Sequence, residues 1–391
     1  MRVLISAGEA SGDHYGAGLA RALRRQWGEQ LEVSGLGGSE MRQAGCDTVV
    51  DAHDIAVVGI TEVVSSLPRI RRGFHRLLQE AERRRPAVAV LIDFPDFNLR
   101  LAKQLHRRGI PVVYFVSPQM WAWRSGRVKQ IQRYVSKMIV IFPFEVKWFR
   151  ERGIEAEYVG YPLADERPEV PPREQFAAKF ALDPLKPWIA LLPGSRRSEA
   201  ARMAPRMAYT AALLGDEFEY VVPVAPSLEA NELARLFSGR FLQPAGAGPR
   251  HSQARIVLAT DARAVLAHAR AAVVASGTAT VQAALAGTPF VMVYRVAPSS
   301  YALGRWMVRV ANFAMPNLIA GRRIVPELVQ GRFTAANVVR ELRKIIPDGP
   351  ERSQMVAGLA EVRARLSTPE GASGAATALD RAATAVLQAA R

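Results

Sequence analysis

The chain has 391 residues, 49% of them hydrophobic, and carries 52 Lys+Arg against 36 Asp+Glu for a formal net charge of +16. That length accommodates two domains with substantial cores, and the hydrophobic fraction excludes a disordered chain. Cys46 is the only cysteine, which excludes disulfide frameworks and cysteine metal sites and points to a reducing compartment.

The positive charge favours a polyanion: nucleic acid, anionic lipid or a phosphorylated substrate. Arginine supplies most of the excess, and part of it follows from a composition that is also rich in alanine. No apolar run approaches the roughly 20 residues that span a bilayer. Met1–Ile5 leads into a strand without the layout of a signal peptide. A soluble or peripheral protein is expected.

Taken in order, Arg2–Ala7 reads as a strand, followed by the turn Gly8-Glu9-Ala10-Ser11-Gly12-Asp13 and a helix from about His14 to Trp27. This is the opening unit of a parallel α/β domain, without the Gly-x-Gly-x-x-Gly spacing of a dinucleotide fold. Gly8 and Gly12 would let backbone approach a ligand, and Glu9 and Asp13 make the turn acidic, which suits sugar hydroxyls. An ordinary helix start with Asp13 as first-turn acid reads equally well. Glu32–Leu36 is a second strand and Ser39–Ala44 a short helix. In Thr61–Leu78, apolar Val63, Val64, Leu67, Ile70, Phe74, Leu77 and Leu78 are set among Arg69, Arg71, Arg72, His75 and Arg76. Such a stretch either docks on an anionic membrane or packs its stripe on the sheet.

Val88–Ile92 has the continuous apolar run of a central parallel strand. It ends in Asp93-Phe94-Pro95-Asp96-Phe97-Asn98, with a helix expected over Leu99–Arg108. Asp96 or Asn98 can cap that helix. Asp93 is the first residue off the strand, where open α/β sheets carry catalytic groups. Phenylalanines around it and an acid such as Glu9 would raise its pKa toward that of a general base. Pro111–Val116 leads to Ser117-Pro118-Gln119-Met120-Trp121-Ala122-Trp123-Arg124, whose tryptophans either stack on a sugar or acyl chain or plug the core. Lys137–Phe142 is a further strand and Pro143–Arg152 a helix.

Val159–Leu163 and Arg167–Pro172 form a proline-rich link. A second α/β series follows. Ile189–Leu192 reads as a strand broken by Pro193-Gly194-Ser195, with Arg196 next and Ser198 as expected N-cap, a combination that suits a pyrophosphate. Ala271–Ala275 runs into Ser276-Gly277-Thr278-Ala279, a second such cradle at a helix start. Phe290–Val293 is the last clear strand. Met315–Arg322 reads as a loop with amide and guanidinium donors around Asn317, and Gly371–Arg391 as an alanine-rich helix folding back on the first half. No histidine pair has metal spacing, and neither a P-loop nor a Gly-x-Ser-x-Gly motif is present. Two α/β domains facing a cleft, with phosphate cradles in the second and an aspartate base in the first, fit a nucleotide-sugar transferase.

These motifs, together with Pro316-Asn317-Leu318-Ile319-Ala320-Gly321-Arg322, resemble lipid-A-disaccharide synthases in order and over nearly the whole chain. The resemblance implies a GT-B fold, α/β, with two Rossmann-like parallel-sheet domains on a central cleft. The expected domains are 1–163 for the acceptor and membrane side, 164–365 for the UDP-sugar, and a C-terminal helix within 366–391 that returns to the first domain or swaps with a partner in a homodimer. It further implies inverting transfer from UDP-2,3-diacylglucosamine to the 6-hydroxyl of 2,3-diacylglucosamine 1-phosphate (lipid X). Asp93 would be the base, with Glu9 and Asn317 as important polar residues in the cleft. Gly194, Ser195, Arg196, Ser276, Gly277, Thr278 and Ala279 would meet the diphosphate. Gln282 stands where relatives commonly carry a ribose-gripping Glu. Ser11, Gly12, Asp96, Asn98 and Trp123 complete the expected cleft.

No metal or other cofactor is expected, since the UDP-sugar is itself a substrate and Arg196 with two helix N-termini would stabilise departing UDP. The resemblance makes Thr61–Leu78 the membrane-docking face and places the protein on the cytoplasmic side of the inner membrane. The rivals are another UDP-sugar enzyme, such as a UDP-N-acetylglucosamine epimerase or the muramyl-pentapeptide transferase, and a basic nucleic-acid-binding protein. Against the last, basic residues are dispersed and no binding module is present, so no nucleic acid partner is expected.

Overall fold

The computed structural model describes residues 1–55, 60–117, 127–166, 169–238, 254–296, 312–367 and 376–390, with backbone only over 60–66. The chain forms two compact units, one built from Met1–Glu166 with Leu366–Arg391 and the other mainly from the residues between.

The first unit holds seven parallel strands: β1 (Arg2–Ala7), β2 (Glu32–Gly37), β3 (Asp47–Asp51), β4 (Val88–Ile92), β5 (Val112–Phe115), β6 (Lys137–Val140) and β7 (Ala156–Tyr158). Their order is β3-β2-β1-β4-β5-β6-β7. The central strands read as apolar runs because helices cover both faces; all five residues of β4 are buried. The edges β3 and β7 are short, half-exposed and acidic, as edge strands are, and hydrophobic runs do not reveal them.

In register, Ala7 lies beside Ile92, so Gly8-Glu9 and Asp93 leave the sheet side by side. Strand order reverses between β1 and β4, and ligands of doubly wound sheets bind beyond the strand C-termini at such a reversal.

The second unit repeats the plan with six parallel strands: β8 (Trp188–Leu192), β9 (Glu219–Pro223), β10 (Ile256–Ala259), β11 (Ala271–Ala275), β12 (Phe290–Tyr294) and β13 (Glu327–Val329), ordered β10-β9-β8-β11-β12-β13. Val274 pairs with Leu192, so the Pro193–Arg196 and Ser276–Thr278 turns flank this sheet's own reversal.

The C-terminal helix Ala378–Ala389 packs on the chain's own first helix, Ala10–Trp27. Arg25 pairs with Asp380 at 2.5 Å, Gln26 donates to the Asp380 carbonyl, and Lys137 donates to Gln388. Leu379 fills the notch left by Gly18, where a Cβ would stand 2.5 Å from its methyl carbon.

Candidate active site

The first unit's site is organised by a strained turn. Asp93 and Phe94 both take left-handed backbone, with φ of +43° and +46°, a conformation that costs non-glycine residues of order 1–3 kcal/mol and persists only where surroundings enforce it. Here the Asp93 N–H donates to the Phe115 carbonyl, and the Asp93 carbonyl accepts from Tyr114 Oη at 2.6 Å and Asn98 Nδ2 at 2.9 Å. The Phe94 ring lies over Gly8, stacked on Phe97 with centroids 5.4 Å apart. The helix then starts at Pro95, four residues before its expected start, with Phe94 as its N-cap. The Asp93 carboxylate is left half-buried at the β4 terminus.

Asn98 sits beneath this turn. It is fully buried; its amide donates to the carbonyls of Ser6, Ile92 and Asp93, and its oxygen accepts from Ser6 Oγ at 2.7 Å. It ties β1 to β4 beneath the turn. Asp96 is exposed and pairs with Arg127. Burial, with a contribution from the Asp93 charge, pushes Tyr114 and Tyr15 well above the ordinary phenol range, so both stay protonated.

The glycine turn after β1 differs from expectation. The helix begins at Ala10, with Glu9 in extended backbone at the N-cap, half-buried. Gly8 is required by the Phe94 ring, 2.3 Å from a would-be Cβ, whereas a Cβ at buried Gly12 would meet Ala7 and Ile92 at ordinary contact distances of 3.4–3.7 Å. Ser11 is exposed on the first turn. Asp13 is buried and accepts from the N–H groups of Gly38, Glu40 and Met41, capping the helix Ser39–Gln43. Glu9 is therefore the acid of this turn.

One cluster had no sequence signal. His14 Nδ1 lies 2.7 Å from Glu40 and Nε2 2.6 Å from Glu166, so both ring nitrogens donate and the ring is an imidazolium. The hydrogen bond to Glu166, aided by that to Glu40, outweighs partial burial and raises its pKa to about 9. Its carboxylate partners lie 26 and 152 residues away in sequence.

In the helix Ile60–Arg84, Ile70, Phe74, Leu77 and Leu78 pack into the core, while Arg69, Arg71, Arg72 and Arg76 are exposed. The apolar stripe of this part belongs to the sheet, and the outward face is cationic, with Leu67 52% exposed. Trp123 and its loop (118–126), and the side chains of 61–66, lie outside the described residues.

In the second unit, the helix after β8 spans Arg197–Leu214. Arg196, not Ser198, occupies the N-cap, and no side chain caps the first turn. The helix after β11 spans Thr278–Ala286, with Gly277 (φ +134°) at an N-cap that also lacks a side-chain bond. Two helix N-termini whose cap residues make no side-chain bond thus stand at the β8/β11 reversal, each carrying partial positive charge. Gly194 (φ +107°) turns the chain, and a Cβ there would meet the Glu199 carboxylate at 2.7 Å. Arg196, 63% exposed, lies 3.6 Å from Glu199. Ser195, Thr278 and Ala279 line the two turns, Ser276 Oγ donates to the Phe313 carbonyl, and Gln282 follows one turn into the helix, half-buried.

Sequence reasoning missed Tyr294, at the end of β12. It stacks with Phe313 (centroids 6.5 Å apart), and burial, with the Glu199 charge, raises its pKa while Arg196 and Arg202 oppose.

Asn317 also makes a buried amide network. Met315–Ala320 is a helix rather than a loop, and Asn317 is fully buried. Its oxygen accepts from the Ile324 and Val325 N–H groups, and its amide donates to the Val325 carbonyl and to Glu327 Oε1 at 2.8 Å. Glu327 also accepts from the Phe313 and Ala314 N–H groups. Together they fix the strand of chain that Ser276 touches. Among the described residues no cluster of three or more His, Cys, Asp or Glu side chains could hold a metal ion, and no helix is long and apolar enough to cross a membrane.

Solved structures share this architecture at low identity. UDP-GlcNAc 2-epimerase from Neisseria meningitidis aligns with a TM-score of 0.61 at 10% identity, over 99% of this chain and 100% of that one. The glycosyltransferase SnogD from Streptomyces nogalater gives 0.58 at 18%, over the whole of both chains. MurG from Acinetobacter baumannii gives 0.56 at 13%, over 99% of each. The fold is that of the GT-B glycosyltransferases. Among curated proteins, the lipid-A-disaccharide synthase of Koribacter versatilis is 54% identical over 100% of this chain and 99% of its own length. Those of Acidobacterium capsulatum (50%, covering 94% and 92%) and Myxococcus xanthus (43%, covering 99% and 97%) follow. A family model described as lipid-A-disaccharide synthetase matches residues 3–370, and the chain belongs to the lipid-A-disaccharide synthase family.

Proposed function

We propose that the chain transfers 2,3-diacylglucosamine from its UDP derivative to the 6-hydroxyl of 2,3-diacylglucosamine 1-phosphate, releasing UDP and the β-(1→6) disaccharide 1-phosphate, with Asp93 as base. The acceptor oxygen attacks the anomeric carbon as the bond from that carbon to the UDP oxygen breaks. The hydroxyl proton passes to the Asp93 carboxylate, and the anomeric configuration inverts. Charge growing on the leaving diphosphate is met by Arg196 and by the open N–H groups around Ser195, Gly277, Thr278 and Ala279. Gly194 provides the turn that places Arg196, and Gln282 can reach a ribose hydroxyl. Glu9, half-buried at the N-cap of the first helix, serves the acceptor sugar. Asn98 and Asn317 are positioning residues.

The observation that carries this mechanism is the strained Asp93–Phe94 turn at the β1/β4 reversal, over-determined by Asn98, Tyr114 and the Phe94–Gly8 packing. The test is to incubate the protein with the UDP-sugar and the acceptor phosphate and to follow UDP release and product mass. Disaccharide 1-phosphate with stoichiometric UDP is expected. UDP-sugar isomerised without acceptor consumption would move the chain to the epimerases.

The acylated substrates reside in a membrane. The exposed arginines of Ile60–Arg84, with Leu67, support docking on the anionic cytoplasmic face of the inner membrane by charge rather than by the buried stripe. Charge reversal at Arg69, Arg71, Arg72 and Arg76 is expected to abolish co-sedimentation with phosphatidylglycerol vesicles at low salt. Unchanged co-sedimentation would contradict this.

A further inference from the structure

Beside the edge strand β13, two strands away from β11, lies an open groove of about 400 Å³. Its floor includes Val325, Leu328, Ile345 and Met355, all buried, and its rim carries Arg322, Arg323, Arg332 and Lys344. Two of these cations are engaged: Arg322 with Glu361, and Lys344 with Glu341 at 2.8 Å. Arg323 and Arg332 make no side-chain hydrogen bond or ion pair among the described residues.

Both arginines stand on fixed backbone. The residues after Arg323 are held by Asn317 Oδ1 through the Ile324 and Val325 N–H groups at 2.7 and 2.9 Å. Ile324 is seated in a notch at Gly358, where a Cβ would come within 2.7 Å of it. The Arg332 carbonyl accepts from Asn337 Nδ2 at 2.9 Å and from the Thr334 N–H at 3.0 Å. Glu351 in the lining opposes an anion. Glu341, also in the lining, does so less, because its charge is offset by ion pairs with Lys344 at 2.8 Å and Arg340 at 3.4 Å.

We infer that Arg323 and Arg332 form a second anion site that takes a phosphate group, separate from the turns after β8 and β11. Guanidinium forks match phosphate oxygens bidentately, the groove volume lies within the range of small-ligand sites, and the apolar floor accommodates a substituent on the phosphate. The inference is independent of the proposed transfer reaction. Free phosphate and a phospholipid headgroup share this chemistry, and the probes separate them.

The full chain, with and without saturating UDP, is titrated calorimetrically with inorganic phosphate and, separately, with monomeric dihexanoyl phosphatidylglycerol. Binding of either is expected to survive UDP and Arg196→Ala, to weaken about tenfold or more in Arg323→Glu/Arg332→Glu, and to tighten about two- to fivefold in Glu351→Gln as a repelling charge is removed. Arg323, Arg332 and Glu351 are on the surface, and a UDP affinity unchanged from wild type confirms that their variants fold; for Arg196→Ala an unchanged Tm does so. Phosphate binding alone assigns a free anion as ligand, and lipid binding alone assigns a headgroup. The inference is overturned if neither probe binds, or if the arginine reversals leave the UDP-insensitive binding intact.

Discussion

At the scale of single residues, the Asp93–Phe94 turn puts two consecutive non-glycine residues in left-handed backbone and, by our reading, carries the chemistry. Phe94 is tolerated in left-handed backbone because its ring covers Gly8 and stacks on Phe97. Gly8→Ala forces a methyl into that ring and is expected to destabilise the chain by about 1–3 kcal/mol, with a larger loss of activity than of stability because the Asp93 carboxylate is re-aimed. Thermal melts alongside UDP release check this; full activity at a lowered Tm would contradict it. His14 makes a prediction in pH. Its folded pKa of about 9 lies above the ordinary 6.5, so its contribution to stability is complete below pH ~6.5 and is lost as pH rises through about 9. Part-exposure keeps that contribution small. The Tm gap between wild type and His14→Gln should be widest near pH ~6 and vanish by pH ~10; a gap independent of pH would refute the imidazolium clasp.

At the scale of elements, the helix N-termini after β8 and β11 govern the second unit. Neither has a side-chain cap, whereas Asp261 caps Ala262–His268 from its own sequence. The helices from Ala10, Pro95 and Arg173 also lack a side-chain bond from their N-cap residue, so what sets these two ends apart is their place at the β8/β11 reversal. Arg196→Ala is expected to weaken UDP binding by about 1.5–3 kcal/mol, the worth of a charge-assisted hydrogen bond, with little change in Tm because Arg196 is exposed. Unaltered UDP affinity would remove Arg196 from the diphosphate site. Apolar runs and glycine breaks made both strand–turn–helix units and Asp93's place readable from the sequence. The roles of Asn98 and Asn317 were not readable there, since an amide at a helix start looks alike whether it faces a ligand or a buried carbonyl. Only the β1/β4 and β13 pairings bring their partners into reach. Tyr294, Glu327 and the His14 cluster were invisible for the same reason: each acquires its neighbours through non-local packing.

At the scale of the whole molecule, both units follow one doubly wound plan, and the residues proposed to act in each stand at the point where strand order reverses. That much follows from alternating strand and helix patterns. The edge strands β3, β7 and β13 did not show as apolar runs because edges are short and half-exposed. The last helix binds the chain's end to its beginning through Arg25–Asp380 and the Gly18–Leu379 notch. Gly18→Leu fills that notch and is expected to cost about 2–3 kcal/mol, a fall in Tm of roughly 5–10 °C for a unit of this size. A melt unchanged from wild type would show that the helix contributes little to the fold.

The sharpest trial is to compare wild type with Asp93→Asn in single-turnover UDP release from the UDP-sugar and acceptor, alongside UDP affinity measured by calorimetry. Asparagine keeps the size of the side chain and leaves the backbone bonds to Tyr114 and Asn98 in place, but it cannot take a proton. Unchanged UDP affinity with a rate lower by about 10²–10⁴ is the predicted result. A variant that binds UDP and turns over within a few-fold of wild type would show that Asp93 shapes the turn and that the proton leaves by another group.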